Sequence, residues 1–182
     1  MQLKEHVLNF QKLLQHAKRC NGLTPEMERH LETLRPRLVP LVREVIEESY
    51  ALLDSHDLLK GIHASQADLQ RETTQLIEEI FTKPFDEENA RAIYQLGQRQ
   101  MDQNLPIELI GGLLSLVGRK LIDKLFQQHG GQEKLREEVE AVLAALAFNL
   151  QILQRAFLDR ELKRFCQVTG MSPKLIEQLS RV

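Results

Sequence analysis

Apolar residues recur three and four positions apart through almost the whole chain, and this helical spacing is the strongest constraint on the fold. The segment over residues 3–18 shows the pattern, with Val7, Phe10, Leu14 and Ala17 on one face. Glycines and prolines separate such segments, and no segment alternates apolar and polar residues as a half-buried strand does. The sequence therefore predicts an all-α protein of about seven to eight unequal helices.

Turn and capping residues divide the chain into these helices. Thr24 and Pro25 open a short helix that Pro36 ends, and a longer helix follows to about Asp54. Further helices are predicted over residues 65–83, 86–104, 107–127 and 133–165, and a short last one begins at Ser172. The helix over 107–127 is apolar enough for burial on more than one face. The helix over 133–165 exceeds the ordinary globular length, and such helices usually extend beyond their own domain.

Composition excludes several classes of partner. The chain has 182 residues, 42% of them hydrophobic, and a net charge of −2, so it is expected to fold and has no overall attraction to nucleic acid or anionic lipid. The longest uninterrupted apolar stretch, residues 141–148, is too short to span a membrane. Cys20 and Cys166 form no disulfide framework. We therefore expect a soluble protein in a reducing cytoplasm.

The sequence contains no convincing catalytic or metal-binding pattern, so we predict that the protein is not an enzyme. Gly111, Gly112 and Gly118 do not have the spacing of a phosphate-binding loop, and glycines within an apolar helix favour close helix packing. The six histidines include no HxxxH or HExxH pair. Charged runs such as Glu137-Glu138 mix with the opposite sign along helices and are predicted to face solvent.

Two segments nevertheless carry a family resemblance. They are NGLTPEMERHLETLRPRLVPLVREVIEESYALL, which begins at Asn21, and LQRETTQLIEEIFTKPFDEENARAIYQLGQRQMDQNLPIELIGGLLSLVGRKL, which begins at Leu69. The LRP step and the LGxxQ motif with its following proline resemble the globin-coupled sensor and protoglobin family. The resemblance covers about residues 22–165 and implies a globin-like sensor fold there. Residues 1–21 are then an extra N-terminal helix, and residues 166–182 a short helical linker or tail towards an output.

The resemblance also implies where a ligand pocket lies. Tyr50 matches the tyrosine that often faces the distal side of the haem, although a buried tyrosine bonded to a backbone partner fits the sequence as well. Haem-binding members have their iron-ligating histidine three residues after the motif glycine, whereas here Gln100 follows Gly97. An amide is a weak iron ligand compared with imidazole, so no cofactor is expected, with haem kept as an alternative. The expected vestigial pocket comprises Tyr50, Leu53, Leu69, Thr73, Ile77, Leu96, Gln100 and Leu105.

The function implied by the resemblance is a regulatory input domain for signal transduction. It is expected to form a homodimer through its last two long helices and to control an output domain or partner protein. The predicted dimer interface comprises Gly111, Ser115, Gly118, Val142, Leu146, Leu150 and Leu153. Two alternatives stay open: a haem-based gas sensor with an unusual ligand, and a carrier or sensor of an apolar small molecule. Side chains or such a molecule must fill the space between the helices, because protein interiors tolerate few voids.

Overall fold

The computed structural model of the chain describes residues 8–55, 66–102, 105–128, 132–172 and 175–176. The regular elements in these ranges are α-helices, which confirms the predicted fold class. In chain order they are α1 (Phe10–Cys20), α2 (Pro25–Ser55), α3 (Gln66–Thr82), α4 (Glu87–Asp102), α5 (Ile107–Gln128) and α6 (Gln132–Thr169). The first residues of the predicted N-terminal helix and most of the predicted connection over 55–64 lie outside the described residues.

Helix α2 continues through two prolines, whereas the sequence analysis ended a helix at Pro36. A proline inside a helix costs about 3 kcal/mol, because it lacks an N–H donor and its ring clashes with the preceding turn. The apolar face outweighs this cost: Leu34 and Leu38 are almost completely buried on either side of Pro36. Burying one such side chain contributes about 1.5–3 kcal/mol. Packing therefore joins two predicted helices into one, and the described ranges hold six long helices.

Helix α6 lies at the centre of the fold, because it contacts each of the other five helices. Its residues Val142, Phe148 and Ile152 are completely buried. Phe148 meets the ring of Phe85 edge to face, with the ring centroids 5.3 Å apart. The core therefore forms around α6, and a displacement of any other helix changes a surface that α6 contacts.

By length and composition alone, α6 is also apolar enough to cross a membrane. Its candidate stretch has a mean hydropathy of 1.5, but 61% of it is buried inside the chain. A helix that is apolar on most sides is typical of a protein core as well as of a membrane span. Its central position in this fold accounts for the hydropathy of α6.

Gly97 allows α4 to approach α6 closely. A methyl group at Gly97 would lie 2.9 Å from Cβ of Ala156 and 3.2 Å from Cδ2 of Leu153. Ala156 has no side-chain torsion with which to move aside, so the two backbones are already near their minimum separation. This contact fixes the position of α4, and with it Gln100 one turn later.

Helix α1 packs across α4 and α6. The ring of Phe10 meets Tyr94 of α4 edge to face at 5.3 Å, and the Arg91 guanidinium lies 4.3 Å from the centre of the Phe10 ring. At the other end of α1, the Asn21 amide nitrogen donates to Oε1 of Gln151, 2.7 Å away. The N-terminal helix is thus anchored to the two helices that Gly97 brings together.

The predicted helix ends agree with the structure in several places. Asp86 Oδ1 accepts a hydrogen bond from the Asn89 backbone N–H at 2.9 Å, which caps α4. Gly170 has a φ of +70°, a conformation that favours glycine, directly after the end of α6. Ser172 Oγ accepts from the backbone N–H of Leu175 at 3.3 Å, as expected where a last helix begins. Most of that last helix lies outside the described residues.

Candidate functional site

Five of the eight predicted pocket residues line one small cavity near the end of α4. They are Tyr50, Leu53, Thr73, Gln100 and Leu105. The cavity volume is about 10 Å³. That is close to the smallest space, roughly 10–15 Å³, that holds one water molecule. Side chains from α2, α3, α4 and α5 therefore fill most of the space between the predicted pocket residues.

The remaining predicted pocket residues lie elsewhere. Ile77 is completely buried and Leu96 packs against the core at partial burial, but neither lines this cavity. The side chain of Leu69 is outside the described residues. Three lining residues come from the first turns of α5 and were missed: Leu109, Ile110 and Leu113. They directly follow Pro106, and the high apolar content of this helix, which had predicted burial on more than one face, was the available signal.

Gln100 presents an unusual polar group to this cavity. The residue is only 2% exposed, and its side-chain Oε1 is buried without a hydrogen-bond partner. Its backbone carbonyl is satisfied, since it accepts from the Leu105 N–H at 3.0 Å. A buried acceptor without a partner costs about 1–3 kcal/mol. The Gln100 amide is therefore a costly group in this structure, placed where four helices meet.

Tyr50 and Thr73 form the second polar group of the cavity. The Tyr50 hydroxyl donates to Oγ1 of Thr73 at 2.7 Å, and both residues are buried. Burial raises the pKa of Tyr50, the hydrogen bond between Tyr50 and Thr73 opposes that change, and the negative charge of Glu72 adds to it. The hydroxyl is therefore protonated at neutral pH.

On the outside of the fold, α6 carries a row of exposed apolar residues. Leu143, Leu158, Phe165 and Val168 are exposed, with Leu158 at 67% and Val168 at 87%, and Leu150 is partly buried. Their spacing puts all five on one arc of about 80° around the helix. We call these five residues the α6 apolar stripe. Exposed apolar residues that share one face of a helix mark an interaction site more often than scattered ones do, and in this stripe Gln154 and Glu161 lie between them.

The structure corrects part of the predicted dimer interface. Val142, Leu146 and Leu153 are buried within the single chain, so a partner cannot reach them in this structure. Gly118 is also internal, because a methyl group there would lie 2.9 Å from Cδ1 of Leu146. Of the seven predicted residues, Ser115 is exposed, and Gly111 and Leu150 are half-buried.

Glu138 is a second correction, because the sequence analysis placed it on a solvated face. The residue is completely buried on α6, and its Oε1 lies 3.0 Å from a guanidinium nitrogen of Arg37 on α2. Arg37 itself remains about a third exposed. The ion pair joins the proline-containing part of α2 to the central helix.

These features can be compared with known proteins. The sequence model of the protoglobin family matches residues 10–163, which is most of the chain. The chain belongs to the protoglobin family. Among solved structures, this protoglobin is similar to the globin domain of a globin-coupled sensor from Geobacter sulfurreducens, with a TM-score of 0.67 and 18% sequence identity. The match covers 79% of this chain and 96% of the other. No curated protein sequence matches this protoglobin.

The structural match confirms the globin-like fold that the resemblance implied. Sensor globin domains and protoglobins share this fold, and a globin of this family normally binds haem. The fold alone does not determine haem binding, which depends on Gln100 and the other residues around the cavity.

Proposed function

We propose that this protoglobin is a regulatory input domain that does not hold haem in the usual way and acts as a homodimer. The observation that carries the proposal is the environment of Gln100. An amide occupies the position where the family resemblance expects the iron-ligating histidine, and the cavity beside it has a volume of about 10 Å³. Pockets for small molecules and cofactors typically have about 300–1,000 Å³.

The residues around the cavity do not fit an axially ligated haem. The usual protein ligands of haem iron are histidine, cysteine, methionine and tyrosine side chains. Tyr50 is the only one of these among the eight described lining residues, and its hydroxyl is already bonded to Thr73. Neither the donor set nor the volume supports haem at this place, and the fold supplies helix packing instead.

The α6 apolar stripe supports dimerisation through the last two helices. A second copy of the chain would bring the same stripe and the exposed side of α5, which includes Ser115 and Phe126. A two-fold interface places identical patches against each other, so a self-complementary apolar row favours this arrangement. The proposed interface still uses α5 and α6, but it is formed by exposed residues of these helices instead of the buried residues predicted from the sequence.

A route for the signal follows from the helix contacts. The cavity lies at the end of α4, and Gly97 of α4 packs closely against Ala156 and Leu153 of α6. A change of packing around Gln100 therefore acts on the helix that carries the stripe. Residues 1–21 and 166–182 are proposed as additions to a globin-like body over 22–165, the second of them towards an output domain or partner protein in the cytoplasm.

Absorption spectroscopy tests the haem part of the proposal. Haemin is added to the purified chain, unbound haemin is removed on a desalting column, and the spectrum is recorded. We expect no Soret band at stoichiometric intensity, because no suitable ligand and no space are provided. A stoichiometric band would contradict this and favour the alternative gas sensor, which the buried Tyr50 hydroxyl supports.

Light scattering tests the dimer. We expect a particle of twice the chain mass of 21.1 kDa at micromolar concentration. The double variant Leu143→Gln with Leu158→Gln should be monomeric, whereas Leu52→Gln, an exposed leucine of α2, should stay dimeric. A monomeric wild type would overturn the dimer, and a dimeric double variant would overturn the role of the stripe.

A third function, a carrier or sensor of an apolar molecule, is favoured by the five leucine and isoleucine side chains around the cavity. It requires the cavity to widen by a large factor. Native mass spectrometry of the gently purified protein would show a copurifying small molecule if this function applies. The absence of such a mass, together with a dimer free of haem, supports the input domain that we propose.

A further inference from the structure

The last turns of α6 project away from the rest of the chain. Eight of the nine residues over 161–169 are exposed, and Cys166 is the half-buried one. Phe165 and Val168 are the most exposed apolar side chains of this end, at 50% and 87%. The end of α6 therefore presents an apolar surface that its own chain does not cover.

A groove lies near the opposite end of the same helix. It is lined by Leu143, Ala144 and Ala147 of α6, by Met27 of α2 and by the turn that joins α1 to α2. Its volume is about 330 Å³, and it is open to solvent. The groove therefore has room for a large apolar side chain, in contrast to the small cavity beside Gln100.

The α6 apolar stripe is symmetric about Gln154. Leu150 and Leu158 each lie four residues from Gln154, and Leu143 and Phe165 each lie eleven residues from it. Gln154 is exposed and lies at the middle of the arc that the stripe occupies. A two-fold axis at Gln154 would reverse the direction of the helix. It would therefore place Leu150 beside Leu158 of a second copy, and Leu143 beside Phe165 of that copy.

We infer that two copies of the chain pair through antiparallel α6 helices with the two-fold axis at Gln154, and that Phe165 of each copy enters the groove of the other. This inference rests on the dimer proposed above and specifies its register. A parallel pair would set the two projecting ends against each other and leave both grooves open, because the end and the groove lie at opposite ends of α6. The antiparallel pair covers both surfaces with one symmetric contact.

The polar residues within the stripe fit this register. Gln154 meets Gln154 of the second copy, and a side-chain amide can both donate to and accept from an identical amide. A polar pair in an apolar seam of this kind specifies the register of two helices. Glu161 lies opposite Ala147 of the second copy, whose small side chain leaves space. The carboxylate of Glu161 also keeps a cation of its own chain, since a guanidinium nitrogen of Arg164 lies 3.4 Å from its Oε1.

Disulfide cross-linking tests the register. In a background with Cys20→Ser and Cys166→Ser, Gln154→Cys should form a covalent dimer under mild oxidation, because its two copies meet at the axis. Arg155→Cys is the matched control, since this exposed neighbour lies about 100° further around the helix and should not cross-link. Leu143→Cys should not cross-link either, because its two copies would lie about 33 Å apart along the helices.

The double variant Leu143→Cys with Phe165→Cys tests the pairing at the groove. The two positions lie about 33 Å apart within one chain, so a disulfide between them requires the antiparallel second copy, and we expect a covalent dimer. Light scattering of the same proteins under reducing conditions separates this inference from the proposed dimer. A dimer in which Leu143→Cys alone cross-links, or in which Gln154→Cys does not, would overturn the register only. A monomer would overturn both proposals.

Truncation of the ring tests whether Phe165 occupies the groove. Phe165→Ala should raise the dissociation constant of the dimer by about tenfold or more, as truncation of a buried aromatic anchor does. Leu162→Ala is the control, because this exposed leucine belongs to the same projecting end but lies outside the arc of the stripe. Equal dissociation constants for the two variants would overturn the assignment of Phe165 to the groove.

Discussion

Replacing Gly97 by alanine tests the closeness of α4 and α6, on which the position of Gln100 depends. The added methyl group would lie 2.9 Å from Cβ of Ala156, which is closer than side-chain carbons normally approach. Since Ala156 cannot rotate away, α4 must move outward. Forcing an extra methyl group into a packed interior costs about 1–3 kcal/mol.

The substitution also stabilises the helix itself, and this contribution to the unfolding free energy must be separated from the packing cost. Alanine stabilises a helix interior by about 0.8–1.0 kcal/mol relative to glycine. Gly112→Ala is the matched control, because Gly112 is exposed on α5 and a methyl group there meets nothing within 4 Å. The helix-propensity term is the same in both variants, so their difference in unfolding free energy measures the packing cost alone.

The assay is urea unfolding at one fixed protein concentration, with light scattering to verify that all variants have the same oligomeric state. We expect Gly112→Ala to be more stable than the wild type and Gly97→Ala to lie about 1–3 kcal/mol below Gly112→Ala. Gly118→Ala should fall between them, because only the flexible end of Leu146 must move. Equal stability of Gly97→Ala and Gly112→Ala would refute the close contact of α4 with α6.

Three further predictions concern single polar groups. Gln100→His should not create a Soret band on addition of haemin, because the cavity of about 10 Å³ remains far too small for haem. A strong band would show that only the missing histidine prevents haem binding. Arg37→Met should destabilise the protein by about 1–3 kcal/mol more than Glu138→Gln in urea unfolding, since it leaves a buried carboxylate with one cation fewer. Burial, followed by the hydrogen bond to Asp159, raises the pKa of Tyr94 above its ordinary value of 10.0. The folded state therefore keeps this proton longer than the unfolded state, and stability is lost as the pH rises above 10. Tyr94→Phe should lose less stability over that range, and parallel curves for the two proteins would contradict the shift.

The sequence predicted most helix boundaries, because these depend on local chemistry. Asp86 caps α4, and Gly170 follows the end of α6, as the residue types indicated. The prediction that a helix ends at Pro36 was wrong. It took account of the free-energy cost of proline in a helix, but not of the burial of Leu34 and Leu38, which outweighs that cost. Local signals therefore failed where long-range packing decided the outcome.

The site was predicted only in part for a similar reason. The family resemblance predicted that Tyr50, Thr73 and Gln100 line one pocket, but it did not indicate that Leu109 and Leu113 also line it. The dimer residues were harder, because both faces of α5 and α6 are apolar in sequence. Which face meets the chain's own core is settled by the neighbouring helices and not by helical periodicity.

Gln100 also bears on how many substitutions would separate this chain from one with a histidine ligand and room for haem. A glutamine codon differs from a histidine codon only in its third base, so exchange at this position requires a single nucleotide substitution. The small volume of the cavity depends on several side chains from four helices, and separate substitutions are needed to enlarge it. A lineage that restores the imidazole regains no room for a porphyrin. On the proposal that this chain does not hold haem, residue 100 and the side chains that fill the cavity are two separate obstacles to iron chemistry, and a histidine at residue 100 removes only the first.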